Sequence, residues 1–357
     1  PQNLAETTAQ LFFGIRMQCA KCHNHPFEKW TQDDYYSLAA FFARVKRKND
    51  PLQPGSNPKK KDGAEIIYSA RSGEVKQPRS GKVMQPKIMG LPAPKIDLGI
   101  SRRQVLARIV TSERNPYFAK SVVNRIWYHL LGKGIVDPVD DFRDSNPSAN
   151  DELMDALADD FRKHGHDVKH VIRTIMNSRT YQLSAKTNAL NKNDEKYFSH
   201  AYTRLITAEP LLDAICQVTG VPERFSGMPA GTRAVQLPDG ASNHPFLKTF
   251  GQPARELACE CERETDSNLA QALQLINGPT VNGKLRTASN RVGNLLAKKL
   301  PPNEVLKELY LSTLSRLPKE GEVKVSLAHV AKQADKRKAW EDVLWALINS
   351  KEFLFRH

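Results

Sequence analysis

From Ser101 to the end of the chain, apolar residues recur at intervals of three and four. This spacing predicts amphipathic helices. The helix ends are marked as well: Ser101 precedes "RRQVLARIVT", Asn115 with Pro116 opens "YFAKSVVNRIWYHLL", and Asn150 opens "DELMDALADDFRKHG". Small polar residues cap helix N-termini, and proline suits the first helical turn. We therefore expect a mainly α fold, a multi-helix domain with a small β-hairpin insert.

The N-terminal part of the chain is expected to add two helices and the hairpin. In "NLAETTAQLFFGIRMQ" the predicted buried face consists of Leu4, Thr8, Leu11, Phe12 and Ile15. Thr31 and Asp34 form a capping pair before "YYSLAAFFARV". Between residues 64 and 86, β-branched residues separated by Ser-Gly pairs predict a hairpin of two or three strands.

Length and composition limit the class of protein. A chain of 357 residues is expected to hold two domains, because domains average roughly 150 residues. No apolar run approaches the ~20 residues that a membrane-spanning helix needs, so we expect no transmembrane segment. Motifs of common hydrolases, nucleotide triphosphatases and dehydrogenases are absent: there is no G-x-S-x-G, P-loop, Rossmann glycine pattern or HExxH.

A basic stretch carries much of the charge. The formal net charge is +14, and residues 44–82 hold eleven Lys or Arg against four Asp or Glu. The part "RVKRKNDPLQPGSNPKKKDG" is rich in Pro, Gly and Asn and indicates a surface loop. This basic loop is either a solvated loop or a contact for an anionic partner, such as an anionic glycan or the cell surface. No recognition helix, RRM aromatic pair or zinc-finger spacing is present, so sequence-specific nucleic-acid binding is not expected.

The stretch "QCAKCHNHPFEKW" (residues 18–30) contains the pattern Cys-x-x-Cys-His. This pattern is typical of covalent haem c attachment: Cys19 and Cys22 would form thioethers to the two vinyl groups, and His23 would ligate the iron. The spacing suits this chemistry because thioethers and axial imidazole must reach one porphyrin from adjoining turns. His25 lies two residues further on, and the haem pattern does not need it.

Two alternatives use the same cysteines. Cys19 and Cys22 are half of a structural zinc site, or of a site for another metal, that Cys259 and Cys261 would complete. His23 or His25 can replace a thiolate in such a set. Disulfide pairing is the other alternative, and Cys216 in "LLDAICQVTG" would then be the buried cysteine left over.

His129 is the predicted second functional residue of the site. In the helix that Asn115 opens, Phe118, Val122, Ile126 and Leu130 are the expected core stripe. Arg125 and His129 stand four apart on a neighbouring face. His129 would supply a distal haem ligand or a further metal ligand, and Arg125 would bind a haem propionate. The alternative is an ordinary exposed histidine near a helix C-terminus.

The remaining candidates have simpler explanations. His164, His166 and His170 in "HGHDVKH" straddle a helix end and the next helix start, which favours solvated capping positions. Asp140 and Asp141 in "PVDDFR" are adjacent, so their side chains are expected to diverge and to be structural. A metal-dependent hydrolase using His25, His129 and Asp141 stays possible, although no motif supports it.

Long stretches of the chain resemble two planctomycete domain families. "LFFGIRMQCAKCHNHPFEKWTQDDYYSLAAFFA" resembles the end of the planctomycete cytochrome-like domain, domain of unknown function 1549 (DUF1549). "NPYFAKSVVNRIWYHLLGKGIVDPVDDF" and the final "LINSKEFLF" resemble its usual partner, DUF1553. The resemblance implies a DUF1549 part at residues 1–95, a helical DUF1553 part at 96–357, and export to the periplasm or cell surface by a signal outside this chain.

The function expected from these observations is haem binding for electron transfer or redox sensing with a redox partner protein. The first alternative is a non-enzymatic surface or polysaccharide-binding protein with a structural metal or disulfide centre. The second is the metal-dependent hydrolase.

Overall fold

The computed structural model describes residues 1–26, 28–52, 64–97, 99–238, 243–254 and 268–356. Over these residues the chain is mainly α-helical with two short antiparallel strand pairs, which confirms the predicted fold class. It divides into two compact units, Pro1–Leu183 with Asn188–His200, and Ser184–Thr187 with Ala201–His357. The boundary predicted at residue 95 separates two family domains, which need not coincide with compact units, and it stays a prediction. None of the described helices has the length and apolar character needed to cross a membrane.

The first unit contains six α-helices among the described residues. They are α1 (Gln2–Thr8), α2 (Gln32–Ala40), α3 (Arg102–Val110), α4 (Phe118–Leu131), α5 (Asp151–Lys163) and α6 (Val168–Met176). The predicted N-caps Thr31, Ser101 and Asn150 are confirmed, whereas α4 begins at Phe118 with Tyr117 as its N-cap rather than directly after Asn115. Thr31 and Asp34 form a reciprocal capping box before α2, and Asn150 Oδ1 accepts the N–H of Leu153 at 2.9 Å before α5.

The helix before the cysteine motif is not regular. After α1 the backbone widens into a π-helical turn, Ala9–Phe13, which ends at Gly14 in the left-handed conformation (φ 67°). The buried residues of α1 and this turn are Ala5, Thr8, Ala9, Gln10 and Phe13. The predicted face is thus partly wrong, because Leu4, Leu11 and Phe12 are 38, 37 and 44% exposed. Small alanines let α1 approach α2 closely, whereas larger side chains would hold the two helices apart.

The β-hairpin begins earlier than predicted. Strand β1 (Val45–Asn49) pairs antiparallel with β2 (Glu65–Ser69). The first part of the predicted basic loop is therefore strand β1, and its residues 53–63 lie outside the described residues. The predicted range of 64–86 contains β2 and one isolated bridge, between Lys76 and Val83. The small hairpin is confirmed, but its first strand was missed because β1 is mostly charged and has no strand pattern.

The core side of α4 is shifted by one residue from the predicted stripe. Its buried residues are Ala119, Ser121, Val123, Asn124, Trp127 and Leu131. Two of these are polar and bond to backbone. The Asn124 amide donates to the carbonyl O of Val136 at 2.8 Å and accepts from the N–H of Val136 at 3.0 Å. These two hydrogen bonds hold the loop after α4 against the helix.

Over its described residues, the second unit is a helical assembly with one short strand pair. Its α-helices are α7 (Ala208–Thr219), α8 (Pro245–Thr249), α9 (Leu269–Asn277), α10 (Pro279–Arg286), α11 (Arg291–Ala297), α12 (Pro302–Leu314), α13 (Glu320–Lys332), α14 (Lys336–Ile348) and α15 (Lys351–Leu354). Strand β3 (Arg204–Leu205) pairs antiparallel with β4 (Phe355–Arg356). The core draws on most of these helices, including Leu212, Phe246, Leu309 and Trp340.

We expect Asn124→Ala to lower the free energy of unfolding by roughly 2–5 kcal/mol, because it leaves two buried backbone groups of Val136 unpaired. Chemical unfolding followed by circular dichroism measures this change. Asn294→Ala is the matched control, since Asn294 is a helical asparagine with an exposed side chain. Equal destabilisation by the two variants would contradict this account of the α4 loop.

Candidate functional site

The cysteine and histidine motif lies at the surface of the first unit. Cys19 is in a 3₁₀ turn, Gln18–Lys21, and Cys22 and His23 follow it directly. All three are exposed, and His25 is half-buried. Both cysteines are free thiols. The N–H groups of Cys22 and His23 each lie 3.4 Å from the carbonyl O of Cys19, so the three side chains leave one tight turn.

Side chains at the start of α2 hold the backbone of this turn. The Gln32 amide donates to the carbonyl O of Lys21 at 3.0 Å, and the Tyr36 hydroxyl donates to the same oxygen at 3.1 Å. The N–H of Gln32 in turn donates to Asn24 Oδ1 at 3.0 Å. Gln32 and Tyr36 are 5 and 7% exposed. The motif therefore has a fixed backbone and accessible sulfur atoms.

The His23 ring is oriented by a carbonyl. Its Nδ1 lies 2.6 Å from the carbonyl O of Asn24. A carbonyl oxygen only accepts hydrogen bonds, so the neutral ring carries its proton on Nδ1 and leaves the lone pair of Nε2 for a ligand. Metal-ligating histidines commonly use one ring nitrogen this way and bind the metal with the other. The donor set of two thiols and one imidazole thus fits a covalently attached haem.

A buried carboxylate connects the segment before the motif to the loop after α4. Asp140 is 1% exposed. It accepts from Gln10 Nε2 at 2.5 Å and from Arg16 Nη2 at 2.6 Å. Next to it, the N–H of Phe142 donates to the carbonyl O of Gly14 at 2.9 Å. A Cβ at Gly14 would lie 2.5 Å from the Phe142 ring, so the close approach requires glycine there.

Asp140 and Asp141 serve separate partners, as expected for adjacent residues. Asp141 Oδ2 lies 3.1 Å from Arg143 Nη2. The buried Asp140 is therefore part of an ion pair whose Arg16 side chain is half-exposed, and Asp141 is part of a second, more local pair. The hydrolase alternative, which combines Asp141 with His25 and His129, stays an untested prediction.

A cleft of about 380 Å³ adjoins the motif segment. The motif segment is linked to this cleft by the N–H of His25, which donates to the carbonyl O of the cleft residue Trp30 at 2.8 Å. Its walls include Trp30, Tyr117 and Phe142, and its cationic residues include Lys29 and Arg143. The cleft therefore offers aromatic surface together with cations that are already loosely paired, such as Lys29 with Asp144 at 3.6 Å.

Arg125 and His129 lie on α4, as predicted, but Arg125 already has a partner. Its Nη2 donates to the carbonyl O of Gln10 at 2.9 Å, which joins α4 to the π-helical turn. The expectation that the Arg125 guanidinium binds a haem propionate stays a prediction. His129 is exposed in the last turn of α4, with its ring centre 5.3 Å from that of Tyr128. Its role at the motif stays a prediction.

Cys259 and Cys261 lie outside the described residues, so the four-thiolate zinc site and the disulfide pairing stay predictions. Cys216 is a free, half-buried thiol on α7. Burial raises the pKa of the Cys216 thiol, which favours the neutral form and suits a packing role.

The sequence interpretation missed one cluster of possible metal ligands. His164 and His170 do flank a helix junction, but the structure brings both rings to Asp160. Asp160 lies on α5 and His164 is its C-cap residue, four positions later, which is a spacing that places two side chains on one helix face. That spacing was visible in the sequence. The position of His170 depended on the turn between α5 and α6.

A second polar cluster lies in the second unit. The Lys284 ammonium is buried and lies 3.1 Å from Glu223 Oε2, and it donates to the carbonyl O of Val221 at 3.1 Å. His244 Nε2 is 3.7 Å from the same carboxylate. The His244 imidazole and the Lys284 ammonium lower the pKa of Glu223 to about 2.

Comparison with known proteins places most of the chain in families without an assigned function. Residues 102–330 match the family model described as PSD1, a protein of unknown function (DUF1553). Residues 1–47 match PSCyt2, a protein of unknown function (DUF1549). No curated protein and no solved structure matches the chain.

We expect Arg16→Met to destabilise the first unit by about 3–5 kcal/mol, since it leaves the buried Asp140 carboxylate without its charged partner. Lys29→Met removes an exposed ion pair and should change the free energy of unfolding by less than about 1 kcal/mol. Urea unfolding of the two variants makes the comparison. Similar values for both would show that Asp140 does not depend on Arg16.

We expect Glu223 to contribute stability above pH 4.5, which is the ordinary pKa of a glutamate, and to lose that contribution as pH falls toward 2. Over that interval the unfolded chain binds a proton that the folded chain does not. The stability difference between wild type and Glu223→Gln should therefore shrink on acidification. Glu304→Gln, an exposed helical substitution, is the control. A Glu223→Gln difference that stays constant between pH 7 and pH 3 would contradict the expectation.

Proposed function

We propose that this chain, which belongs to the PSD1 (DUF1553) family of proteins of unknown function, carries a covalently attached haem at Cys19, Cys22 and His23. Its function would be electron transfer or redox sensing in an exported protein. Haem supplies one-electron redox chemistry when bound, and the protein sets its potential through ligation, hydrogen bonding and burial.

The observation that carries the proposal is the combination of a fixed backbone and open donors. Gln32 and Tyr36 hold the carbonyl of Lys21, while the two thiols beside it are exposed and unbridged. A structural pair of cysteines would more often be buried. Exposed thiols on a rigid turn suit covalent attachment of a group that then shields the two sulfur atoms from solvent.

The His23 contact gives the second support. The Asn24 carbonyl holds Nδ1 and directs Nε2 away from it. A hydrogen bond to the opposite ring nitrogen raises the basicity of a ligating imidazole. The chain's own contribution is therefore to orient one axial ligand and to fix its tautomer.

The adjoining cleft also supports the proposal of an attached haem. Trp30, Tyr117 and Phe142 offer apolar surface for a flat ligand, and Lys29 offers a cation for a carboxylate. The acidic residues Glu28, Asp144 and Asp151 also line the cleft. The Lys29–Asp144 pair is exposed and costs little to exchange. His129 stays the proposed second ligand.

The hairpin of β1 and β2 is the proposed contact for an anionic partner, such as a glycan, a cell surface or an acidic face of a redox protein. Lys46, Arg47 and Lys48 on β1 are exposed. Arg47 is paired with Glu65 across the hairpin at 3.4 Å, with both side chains largely solvated. Exposed charges of this kind steer association more than they add affinity.

The test is expression with export in a host that attaches haem to c-type cytochromes. We expect the denatured chain to keep the mass of one haem and to give a haemochrome spectrum. Cys19→Ser/Cys22→Ser should abolish both signals, because no thioether can form. Cys216→Ser, which removes a half-buried thiol on α7, should leave both unchanged.

Other outcomes discriminate among the alternatives. An exported, folded sample with neither signal would contradict the proposal, and zinc bound in its place would favour the structural metal centre. His129→Ala in the haem-containing protein tests the second ligand. An unchanged spectrum would remove His129 from the site and leave the attachment proposal intact.

A further inference from the structure

We propose that Asp160, His164 and His170 bind a divalent transition-metal ion of the zinc class at the junction of α5 and α6. This site is separate from the Cys/His motif and does not depend on haem attachment. It would take the metal with two imidazoles and one carboxylate, which leaves a coordination position for water or a ligand.

The three side chains already lie at ligand spacing. One ligand atom from each lies within 4.8 Å of the other two. His170 Nε2 is 2.7 Å from Asp160 Oδ2, and His164 Nδ1 is 3.2 Å from Asp160 Oδ1. Zinc bonds of about 2.0–2.1 Å in tetrahedral geometry place neighbouring ligand atoms roughly 3.3–3.4 Å apart. Admitting an ion therefore requires side-chain rotations that separate the two stacked rings of His164 and His170.

The two rings are arranged as a pair rather than scattered on the surface. Their centres are 3.7 Å apart and their planes differ by 20°. Each ring presents one nitrogen to the Asp160 carboxylate, so all three donor groups meet at one place on the surface.

The turn between α5 and α6 fixes the arrangement. Gly165 and His166 are both left-handed, with φ of 62° and 64°. The N–H of His166 donates to the carbonyl O of Phe161 at 2.9 Å. Asp167 then caps α6 by accepting from the N–H of His170 at 3.1 Å. These backbone contacts place His170 opposite α5 without any metal, which is the preorganisation that a metal site needs.

The ring of His166 reinforces this turn from the inside. It lies 5.0 Å from the Phe161 ring and 5.6 Å from the Phe118 ring, measured between centres. His166 therefore packs against these two rings and is not one of the proposed metal ligands. The three histidines of "HGHDVKH" therefore divide into one anchor and two ligands.

The donor set selects the class of metal. Imidazole nitrogen suits Zn²⁺, Cu²⁺ and Ni²⁺, whereas Ca²⁺ and Mg²⁺ prefer oxygen ligands. The side chains of His164, Asp160 and His170 are 49, 34 and 28% exposed, so an ion and a water can reach them. His164 Nδ1 also lies 2.9 Å from the carbonyl O of Asp160, and ligation exchanges this hydrogen bond for the metal bond.

The chain contains a matched control. His329 and Asp342 in the second unit form an exposed pair with Nε2 and Oδ2 3.2 Å apart. This pair has the same chemistry as one half of the proposed site. Because one imidazole and one carboxylate hold zinc weakly, His329→Ala should not change zinc binding.

The experiment is titration of the metal-stripped full chain with Zn²⁺ in a chelator-buffered solution, with the bound ions counted per chain. Wild type and His329→Ala should bind one ion more than His164→Ala/His170→Ala. Asp160→Asn should weaken the affinity of that ion at least about tenfold, because it removes the anionic ligand. Unchanged thermal unfolding of the metal-free variants shows that the fold is intact.

Equal ion counts for wild type and the double variant would overturn the proposal, as would saturation of this ion only at millimolar Zn²⁺. Anomalous scattering from zinc-soaked crystals gives an independent readout. A peak bounded by the three side chains supports the site, and a peak confined to the cysteines refutes it. Neither result bears on the haem spectrum, so this proposal and the haem proposal fail separately.

Discussion

The first unit depends on one buried charge, the Asp140 carboxylate. It is almost fully enclosed and is bonded by Gln10 and Arg16, which lie on the segment leading into the cysteine motif. A carboxylate in this position is costly to bury unless its partners stay in place. Burial of the Asp140 carboxylate therefore constrains both of the segments that it joins. The loop after α4 must stay close to the N-terminal segment, and that segment must enter its left-handed turn at Gly14. The rigidity of the motif begins with this ion pair and is completed by α2.

The helices and their ends were largely predictable from the sequence, and the choice of helix face was not. Caps such as Asn150 act through local hydrogen bonds, which depend on a few neighbouring residues. Burial depends on what lies opposite. On α4 both candidate stripes are apolar, and the observed one includes Asn124 because its amide bonds to Val136. A sequence pattern that treats polar residues as external cannot anticipate such a contact.

The candidate sites show the same division between local and long-range information. The Cys-x-x-Cys-His pattern and the spacing of Asp160 and His164 are local and readable. The contacts that make each of them usable come from elsewhere. Gln32 and Tyr36 are needed to fix the first turn, and the left-handed pair Gly165 and His166 is needed to bring His170 to Asp160. The first strand of the hairpin was missed for the same reason, since β1 is a strand only because β2 pairs with it.

The π-helical turn at Ala9–Phe13 makes this region sensitive to the number of residues rather than to their identity. A π turn accommodates one residue more than an ordinary α turn. Loss of a single residue here would let the helix revert to the regular form, but α1 would then rotate by about 100° relative to Gly14. Ala5 would leave the core, and Glu6 would lose the Tyr35 hydroxyl that now donates to it. Insertions and deletions, which surface helices often absorb at their ends, are therefore the changes that this N-terminal helix tolerates least.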